Sequence, residues 1–472
     1  MNTGIYIGNN PLHFPDDRIV GEYVSKFGEE MYVIRNYDQM PPFFMTLVSS
    51  SDLWMFISST GGLTAGRSNS ESALFPYYTD DKVTENYTNT GPLTMIKVSR
   101  GNKTVLWEPF SDRYSGIYQF ERNIYKNITG NKLVFEEQNF DLGLVFKYAW
   151  RTSDRYGFVK TAWLRNETAE SCSLNVVDGL QNMLPYGATT ALQSTFSNLL
   201  NGYKRNELER ETGVGIFSLS STLTDMAEPS ESLKATTAWQ YGLQDPCCFL
   251  STAQIKNLRF GAEVCQEIDV RGYRGAYLLS SSFDLPKGEE KEWSIVADVN
   301  QDHSDITSLI NGLKRNPENV KSDLEQDIVR CNAELVSIVA QADGLQISSD
   351  RLSISHHFAN VLFNTMRGGI FANQYSIDVS DLVDFMNKRN AKVTKEYSDF
   401  FSTLPASIHY EDLINKVKVG NSRDLERLCL EYLPLTFSRR HGDPSRPWNH
   451  FSINVKKLDG SKRLDYQGNW NL

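Results

Sequence analysis

Residues 132–164, KLVFEEQNFDLGLVFKYAWRTSDRYGFVKTAWL, decide the fold class of this chain. They contain three runs rich in β-branched and aromatic residues, Lys132–Glu137, Leu142–Trp150 and Phe158–Leu164, and the Tyr156-Gly157 pair marks a turn before the third run. The middle run, LGLVFKYAW, is apolar at nearly every position, which is typical of a strand covered on both faces. The stretch therefore predicts strands inside a layered β-structure.

The same pattern continues through the chain to about residue 300. Further strands are predicted at Glu30–Arg35, Leu53–Ile57, Leu93–Val98, Ser173–Asp178, Gly213–Ser221, Gly275–Phe283 and Trp293–Asn300. So many antiparallel strands exceed an immunoglobulin-type sandwich of about 100 residues and favour a supersandwich of two large sheets. We predict a β-supersandwich domain over residues 1–301, with a more helical excursion at Met183–Glu211 that ends in the charged run YKRNELERE.

After residue 301 the pattern changes to helical periodicity. Leucine, isoleucine and valine recur at steps of three and four residues, and Pro317 divides the first helical stretch in two. Helices are predicted at Asp302–Ala342, Leu352–Ile370, Val379–Asn387 and Ser422–Tyr432, with Ser422 as an N-cap. We assign a helical linker to residues 302–345 and the truncated beginning of a helical domain to residues 346–472. The fold class is therefore mainly β with an α-helical C-terminal part.

The composition excludes several classes of protein. Of the 472 residues, 58 are acidic and 48 basic, and the net charge of −10 argues against a nucleic-acid partner. No apolar run approaches the length of about 18 residues that spans a membrane, and residues 1–14 do not read as a secretion signal. Six cysteines without metal-binding spacing fit a reducing compartment, so a cytoplasmic protein without a metal is expected. Aromatic residues make up 12% of the chain, which suits both β-packing and sugar stacking.

Several local patterns have ordinary structural interpretations. Residues 61–68, GGLTAGRS, nearly match a phosphate-binding loop, but Arg67 stands where that loop needs a lysine, so a glycine-rich loop after a strand is favoured. Adjacent His356 and His357 on a helix point about 100° apart and are unsuited to one metal ion. The carboxylate pairs Asp80-Asp81 and Glu136-Glu137 do not by themselves define a glycosidase pair, which depends on spatial separation.

The richest candidate site lies near the end of the chain. Within residues 439–449, RRHGDPSRPWN, three arginines can hold phosphate or sugar hydroxyls, and Trp448 can stack on a pyranose ring. Two prolines stiffen the segment, as expected of a loop that carries a site. The alternative is a basic interdomain loop paired with acidic neighbours, and the residues leave both open.

Four stretches resemble the inverting glycoside phosphorylases of the cellobiose and chitobiose phosphorylase type. They are LTAGRSNSESALFPYYTDDKV (63–83), residues 113–166, NVLFNTMRGGIF (360–371) and RRHGDPSRPWN (439–449). The resemblance implies a β-supersandwich, a helical linker and an (α/α)6 barrel in which an Asp is the general acid and inorganic phosphate attacks the anomeric carbon. It also implies a homodimer that takes an oligosaccharide and phosphate and needs no cofactor.

The resemblance carries over to particular residues of this chain. The residues implied to face saccharide or phosphate are Arg440, Asp443, Arg446, Trp448, Asn449, Trp470 and, on a β-domain loop, Arg67. The ending YQGNW resembles a family segment that continues with Arg-Asp, whereas Asn471-Leu472 stand here. No general acid is assigned, and the chain alone is expected to be an inactive N-terminal part whose barrel helices would leave an apolar face unpartnered.

Two other functions remain open from the sequence. The chain could be a stand-alone carbohydrate-binding or assembly protein without catalysis, in which exposed tryptophans would stack on sugars. A hydrolase relative that uses water in place of phosphate is the third reading, and it would need a second carboxylate as base. The sugar and its linkage are not specified by any of these motifs.

Overall fold

The computed structural model describes residues 5–13, 18–78, 80–196, 198–221, 232–340, 344–368, 370–371, 376–420, 422–432 and 435–436. The strands, numbered along the chain, are β1 (Tyr6–Ile7), β2 (Asn10–Pro11), β3 (Val20–Lys26), β4 (Glu29–Arg35), β5 (Phe44–Leu47), β6 (Leu53–Ser58), β7 (Leu63–Arg67), β8 (Ala73–Phe75), β9 (Gly91–Arg100), β10 (Lys103–Trp107), β11 (Phe120–Asn127), β12 (Leu133–Asn139), β13 (Leu144–Ser153), β14 (Gly157–Asn166), β15 (Cys172–Met183), β16 (Lys204–Leu208), β17 (Gly215–Leu219), β18 (Ala235–Tyr241), β19 (Cys247–Phe249), β20 (Asp269–Arg271), β21 (Gly275–Leu285), β22 (Glu290–Gln301), β23 (Ile370–Phe371), β24 (Ser376–Asp378), β25 (Ser407–His409) and β26 (Leu435–Thr436).

The helices of the same residues are α1 (Asp80–Glu85), α2 (Thr190–Phe196), α3 (Asn198–Asn201), α4 (Ile255–Arg259), α5 (His303–Arg315), α6 (Pro317–Ala340), α7 (Arg351–Gly368), α8 (Val379–Glu396), α9 (Ser398–Ser402), α10 (Tyr410–Val419) and α11 (Arg423–Glu431). The chain divides into two compact units, Met1–Leu335 and Val336–Leu472, which are described separately. The prediction of a mainly β fold with a C-terminal helical part is confirmed, and the described residues form no helical barrel.

Three antiparallel sheets form the framework of the first unit. The largest has eleven strands in the order β20-β16-β17-β18-β22-β14-β13-β12-β11-β4-β3, and the others are β10-β9-β15-β21-β19 and β5-β6-β7-β8. One apolar core joins all three, because Trp150 and Trp293 of the large sheet, Leu180 and Tyr277 of the five-stranded sheet and Met55 of the four-stranded sheet belong to the same buried cluster. The sheets therefore pack face to face.

The run LGLVFKYAW is covered on both faces, as its composition predicts. Phe146, Tyr148 and Trp150 of β13 point into the core between the sheets. Ala149, on the opposite face, packs in a second buried cluster with Met31 of β4. Because successive side chains of a strand alternate between faces, only a strand between two layers needs apolar residues at both.

Helices α5 and α6 cover part of the outer face of the large sheet. Val320 and Leu324 of α6 are buried against Val159, Trp239 and Val296. The second helix, α6, begins at Pro317. The first N–H groups of a helix have no partner within the helix, so a proline at the first position loses no hydrogen bond. The helical periodicity predicted after residue 301 thus corresponds to α5 and α6, and the assignment of residues 302–345 as a linker stays a prediction.

The predicted excursion at Met183–Glu211 is only partly helical. Helices α2 and α3 lie within it, but the charged run expected to end it contains strand β16, Lys204–Leu208, which pairs with β17. Its side chains alternate between buried and half-buried positions. Tertiary pairing with the sheet overrides the weak helical signal of these polar residues.

The second unit contains a small core of its own. Helices α8 to α11 and the β24-β25 hairpin bury a cluster that includes Leu382, Leu413 and Leu425. Ser422 accepts a hydrogen bond from the Leu425 amide and is the N-cap of α11, as predicted. These helices bury apolar side chains against one another, whereas Val419 and Leu430 are exposed, and the unpartnered face expected of an interrupted barrel stays a prediction.

Candidate functional site

The terminal cluster predicted from the sequence lies outside the described residues. This applies to Arg440, Asp443, Arg446, Trp448, Asn449 and Trp470. Their contact with saccharide or phosphate therefore stays a prediction.

Arg67 is described, and it lies inside the β-domain at the end of strand β7 instead of on a loop. Its guanidinium donates to both carboxylate oxygens of Asp298, at 2.7 and 3.0 Å, to Asp52 Oδ1 at 2.8 Å and to the carbonyl of Asp154 at 2.6 Å. Burial opposes its charge, but Asp298 and Asp52 raise the pKa of Arg67 above its ordinary value. This network gives Arg67 a structural role, and its contact with a saccharide is untested.

The glycines beside Arg67 serve close packing. A Cβ on Gly62 would lie 2.0 Å from the Val83 carbonyl oxygen, and one on Gly66 would lie 2.7 Å from Trp54. Residues 63–67 form strand β7, paired with β6 and β8. The stretch that resembles a phosphate-binding loop is thus a buried strand that only glycine allows to pack so closely.

The adjacent carboxylates Glu136 and Glu137 point to opposite faces of β12. Glu137 accepts hydrogen bonds from Trp107 Nε1 at 2.6 Å and Arg122 Nε at 2.8 Å. Glu136 accepts from Lys26 Nζ at 2.7 Å, and although burial opposes it, this ammonium lowers the pKa of Glu136. Both carboxylates are held by structural partners and do not form a glycosidase pair. The side chains of Asp80 and Asp81 lie outside the described residues.

A cavity that the sequence did not indicate lies where the three sheets meet. It has a volume of about 360 Å³ and is called here the junction cavity. Gly61 lines it from the β6-β7 turn, Thr94 and Gln181 from the five-stranded sheet, and Tyr148 from the large sheet. Other lining residues follow β10 or belong to α4, among them Glu108, Phe110, Asp112, Arg113 and Arg259.

The walls of the junction cavity combine aromatic rings with polar groups. The rings of Phe110 and Tyr148 meet edge to face at 5.3 Å. Burial raises the pKa of Tyr148 well above its ordinary value, so its hydroxyl stays neutral. Tyr87 donates to Asp112 at 2.9 Å on the same wall. The ring of Tyr148 is itself stacked on Phe135 at 4.9 Å, so the aromatic surface for a sugar is the Phe110 ring, with the Tyr148 hydroxyl beside it.

The charges that line the junction cavity balance one another. Glu108 and Arg259 form a bidentate pair with two contacts of 2.9 Å, and Asp112 lies beside Arg113. Two acidic and two basic groups give no net charge to the described lining. A neutral polar ligand such as a saccharide suits this cavity better than an anion.

A buried ion pair of Lys160 and Asp178 lies next to Thr94, one of the residues that line the junction cavity. Thr94, which lines the cavity, donates to Asp178 Oδ1 at 2.6 Å, and the same oxygen accepts from Lys160 Nζ. Trp293 Nε1 donates to the other oxygen at 2.8 Å. Asp178 is on β15 and Lys160 on β14, so this pair joins the two largest sheets across the core.

The helical core of the second unit coincides with a family match. Residues 371–434 match the model of the glycoside hydrolase family 149 insertion domain 1. This range contains the buried cluster from Ile377 to Tyr432, which the sequence analysis had placed at the start of a barrel. The match supports a glycoside hydrolase- or phosphorylase-like family and does not single out the cellobiose phosphorylase type. No curated protein matches the chain in sequence.

Solved structures share only a distant likeness with the chain. A bacterial glucoamylase complexed with acarbose is 10% identical with a TM-score of 0.34, covering 85% of this chain and 54% of its own. A putative kojibiose phosphorylase from the human microbiome is 11% identical with a TM-score of 0.34, covering 75% and 42%. A putative aldose 1-epimerase from Escherichia coli K12 is 11% identical with a TM-score of 0.28, covering 55% and 100%. The chain spans about half the length of the first two. Likenesses at this level support no functional conclusion.

None of the helices in the described part of the chain is both long and apolar enough to cross a membrane.

Proposed function

We propose that this chain is the N-terminal part of a glycoside phosphorylase-like enzyme that cleaves β-linked gluco-oligosaccharides with inorganic phosphate. The match of residues 371–434 to a glycoside hydrolase family insertion domain carries the proposal. The order of the chain supports it, because a large β-sandwich is followed by two helices and then by the helical unit that holds this domain. In the proposed enzyme the β-sandwich is a supersandwich of the cellobiose and chitobiose phosphorylase type.

The proposed reaction needs one carboxylic acid of the protein. A phosphate oxygen attacks the anomeric carbon with inversion, the glycosidic C–O bond breaks, and the leaving oxygen takes a proton from an Asp of an (α/α)6 barrel. The products are a sugar 1-phosphate and a shortened saccharide. The proposal assigns the saccharide and phosphate contacts to the terminal cluster around Arg440, Asp443, Arg446 and Trp448, and it expects a cytoplasmic homodimer. The 472 residues alone are expected to be inactive.

The first experiment is to read the gene past codon 472 and to express any continuing frame beside the 472-residue chain. Both proteins are incubated with phosphate and a series of β-linked gluco-oligosaccharides, and release of sugar 1-phosphate is measured. We expect release from the longer protein only, with a raised KM for phosphate in Arg440→Gln and Arg446→Gln. Arg271→Gln, an exposed arginine on β20, is the matched control.

Two outcomes would contradict the proposal. Sugar 1-phosphate release by the 472-residue chain would contradict its inactivity. Hydrolysis without any dependence on phosphate in the longer protein would replace phosphorolysis by the hydrolase reading.

The junction cavity favours a second candidate function, which is saccharide binding without catalysis. Its neutral lining, the ring of Phe110 and the hydroxyl of Tyr148 would hold a sugar ring. Calorimetric titration of the 472-residue chain with gluco-oligosaccharides tests this function directly. Heat of binding that is lost in a Phe110→Ala variant would support it, and no heat with any oligosaccharide would count against it.

A further inference from the structure

A second cavity of the first unit has a different chemical character from the junction cavity. It has a volume of about 310 Å³ and is called here the cationic cavity. Its walls come from the segment after β8, from α1, from the end of β15, from helices α2 and α3, from the first residue of β16 and from Arg274, just before β21. The helical excursion therefore builds one wall of a pocket.

Three cationic side chains line the cationic cavity. They are Lys82, Lys204 and Arg274. Lys82 and Arg274 are exposed, whereas the Lys204 residue is only 5% exposed. No carboxylate belongs to the described lining; Glu71 contacts the backbone amide of Thr190 at 2.9 Å without being part of it.

Lys204 is a buried cation without a compensating charge among the described residues. None of the ion pairs of these residues includes its ammonium group, although other strongly buried lysines, such as Lys160, are paired. Burial, with a smaller contribution from the neighbouring charge of Arg274, lowers the pKa of Lys204 to about 8. Such an unpaired charge is costly unless a ligand of opposite sign completes it.

A second group in the same wall also lacks a partner. The hydroxyl oxygen of Thr190 is buried and has no hydrogen-bond partner among the described residues. A hydroxyl, an ammonium and a guanidinium that line one cavity are all groups that donate to the oxygens of an anion. Tyr77, Tyr78 and Asn201 also line the cavity.

We propose that the cationic cavity binds a phosphate dianion, either free or as the monoester of a sugar. The phosphate oxygens accept from Lys204, Arg274 and the Thr190 hydroxyl, with Lys82 adding charge at the open side. In the monoester, the sugar occupies the space beside Tyr77 and Tyr78. The inference rests on this cavity alone and holds whether or not the chain belongs to a phosphorylase.

Calorimetry with the 472-residue chain tests the proposal with four named probes. They are inorganic phosphate, glucose 1-phosphate, glucose and sodium chloride at matched ionic strength. We expect binding of one or both phosphate compounds and none of the other two. Lys204→Met and Arg274→Gln should each weaken that binding at least tenfold, which is about 1.4 kcal/mol. Lys103→Met, an exposed lysine on β10, should leave it unchanged.

A second measurement observes the cavity itself, because the arginines at 439–446 are also predicted to hold anions. Lysines are labelled with an amine-reactive reagent near pH 8, and the rate at Lys204 is followed by mass spectrometry. Phosphate or glucose 1-phosphate should slow labelling of Lys204 and leave Lys103 unaffected.

The outcomes separate the two sources of the phosphate group. Tighter binding of glucose 1-phosphate than of phosphate identifies a monoester site, and the reverse identifies a free-phosphate site. Equal binding by wild type and Lys204→Met, or labelling of Lys204 that neither probe slows, would overturn the proposal.

Discussion

The Lys160–Asp178 pair joins the two largest sheets through a single buried contact, and its removal gives a sharp test of the fold. Lys160 is 1% exposed and Asp178 is 0% exposed, so neither charge is solvated. Substituting Lys160→Met keeps an unbranched apolar side chain, one atom shorter, and removes the ammonium. Among the described residues, Asp178 then retains two neutral donors, Thr94 and Trp293.

The expected loss of stability follows from these contacts. Removing one member of a buried pair costs about 3–5 kcal/mol, because the other charge stays uncompensated. We expect the lower end, about 3 kcal/mol, since the hydrogen bonds from Thr94 and Trp293 still stabilise the carboxylate. The double variant Lys160→Met/Asp178→Asn removes both charges, and the amide oxygen can accept one of the two donors. It should regain at least about 1 kcal/mol relative to Lys160→Met.

Urea unfolding followed by tryptophan fluorescence measures these differences. Six of the eight tryptophans lie in residues 1–335, so the signal reports mainly on the first unit. Lys103→Met is the control and should change the free energy of unfolding by less than about 0.5 kcal/mol. If the double variant is as unstable as the sum of its two single variants, the two residues are not coupled and the reasoning is refuted.

Three further predictions concern the two cavities and the helical unit. If the junction cavity binds gluco-oligosaccharides, Tyr148→Phe should weaken the binding free energy measured by calorimetry by about 1 kcal/mol, since one neutral hydrogen bond is lost. An unchanged affinity would mean that the sugar binds elsewhere. Because Lys204 has a pKa of about 8 in the folded state and an ordinary value of 10.5, the unfolded chain binds more protons between these values. The contribution of Lys204 to the free energy of unfolding should therefore rise with pH from about 8 to 10.5. Lys204→Met should remove that rise and stabilise the ligand-free chain near pH 7 by up to about 3 kcal/mol. The same pH dependence of the free energy of unfolding in both proteins would contradict this. Leu413 is fully buried in the helical unit, so Leu413→Ala should lower its free energy of unfolding by about 2–5 kcal/mol and make residues 376–432 susceptible to limited proteolysis. Val419→Ala, at an exposed position, is the control. Equal digestion of both variants would show that this core is not formed.

The local elements of the fold could be predicted from the residues alone. The run LGLVFKYAW predicts a strand covered on both faces, because no surface strand needs apolar side chains at odd and even positions. Pro317 predicts a break in the first helical stretch, and Ser422 predicts an N-cap; the structure has α6 beginning at Pro317 and α11 following Ser422. These signals depend only on neighbours in the chain, so they do not need the tertiary structure.

Other features depended on partners far away in the sequence. The buried ion pair of Arg67 depends on Asp298, 231 positions later, which the β-sandwich brings within 2.7 Å. The charged run at Lys204–Leu208 becomes a strand because β17 pairs with it. Residues near in the chain specify neither the contact partner of Arg67 nor the strand at Lys204–Leu208. The packing and pairing of the sheets determine both.

The sequence by itself determined that this chain is a β-structure followed by helices, since hydrophobic periodicity and turn residues act over a few positions. Only the tertiary structure decided where its cavities lie. The junction cavity joins residues from Thr60 to Arg259, and the cationic cavity joins residues from Pro76 to Arg274. Each cavity arises because strands that are distant in the chain end close to one another. In the cationic cavity, burial removes the ammonium of Lys204 from water, which is costly unless a group of opposite charge binds it.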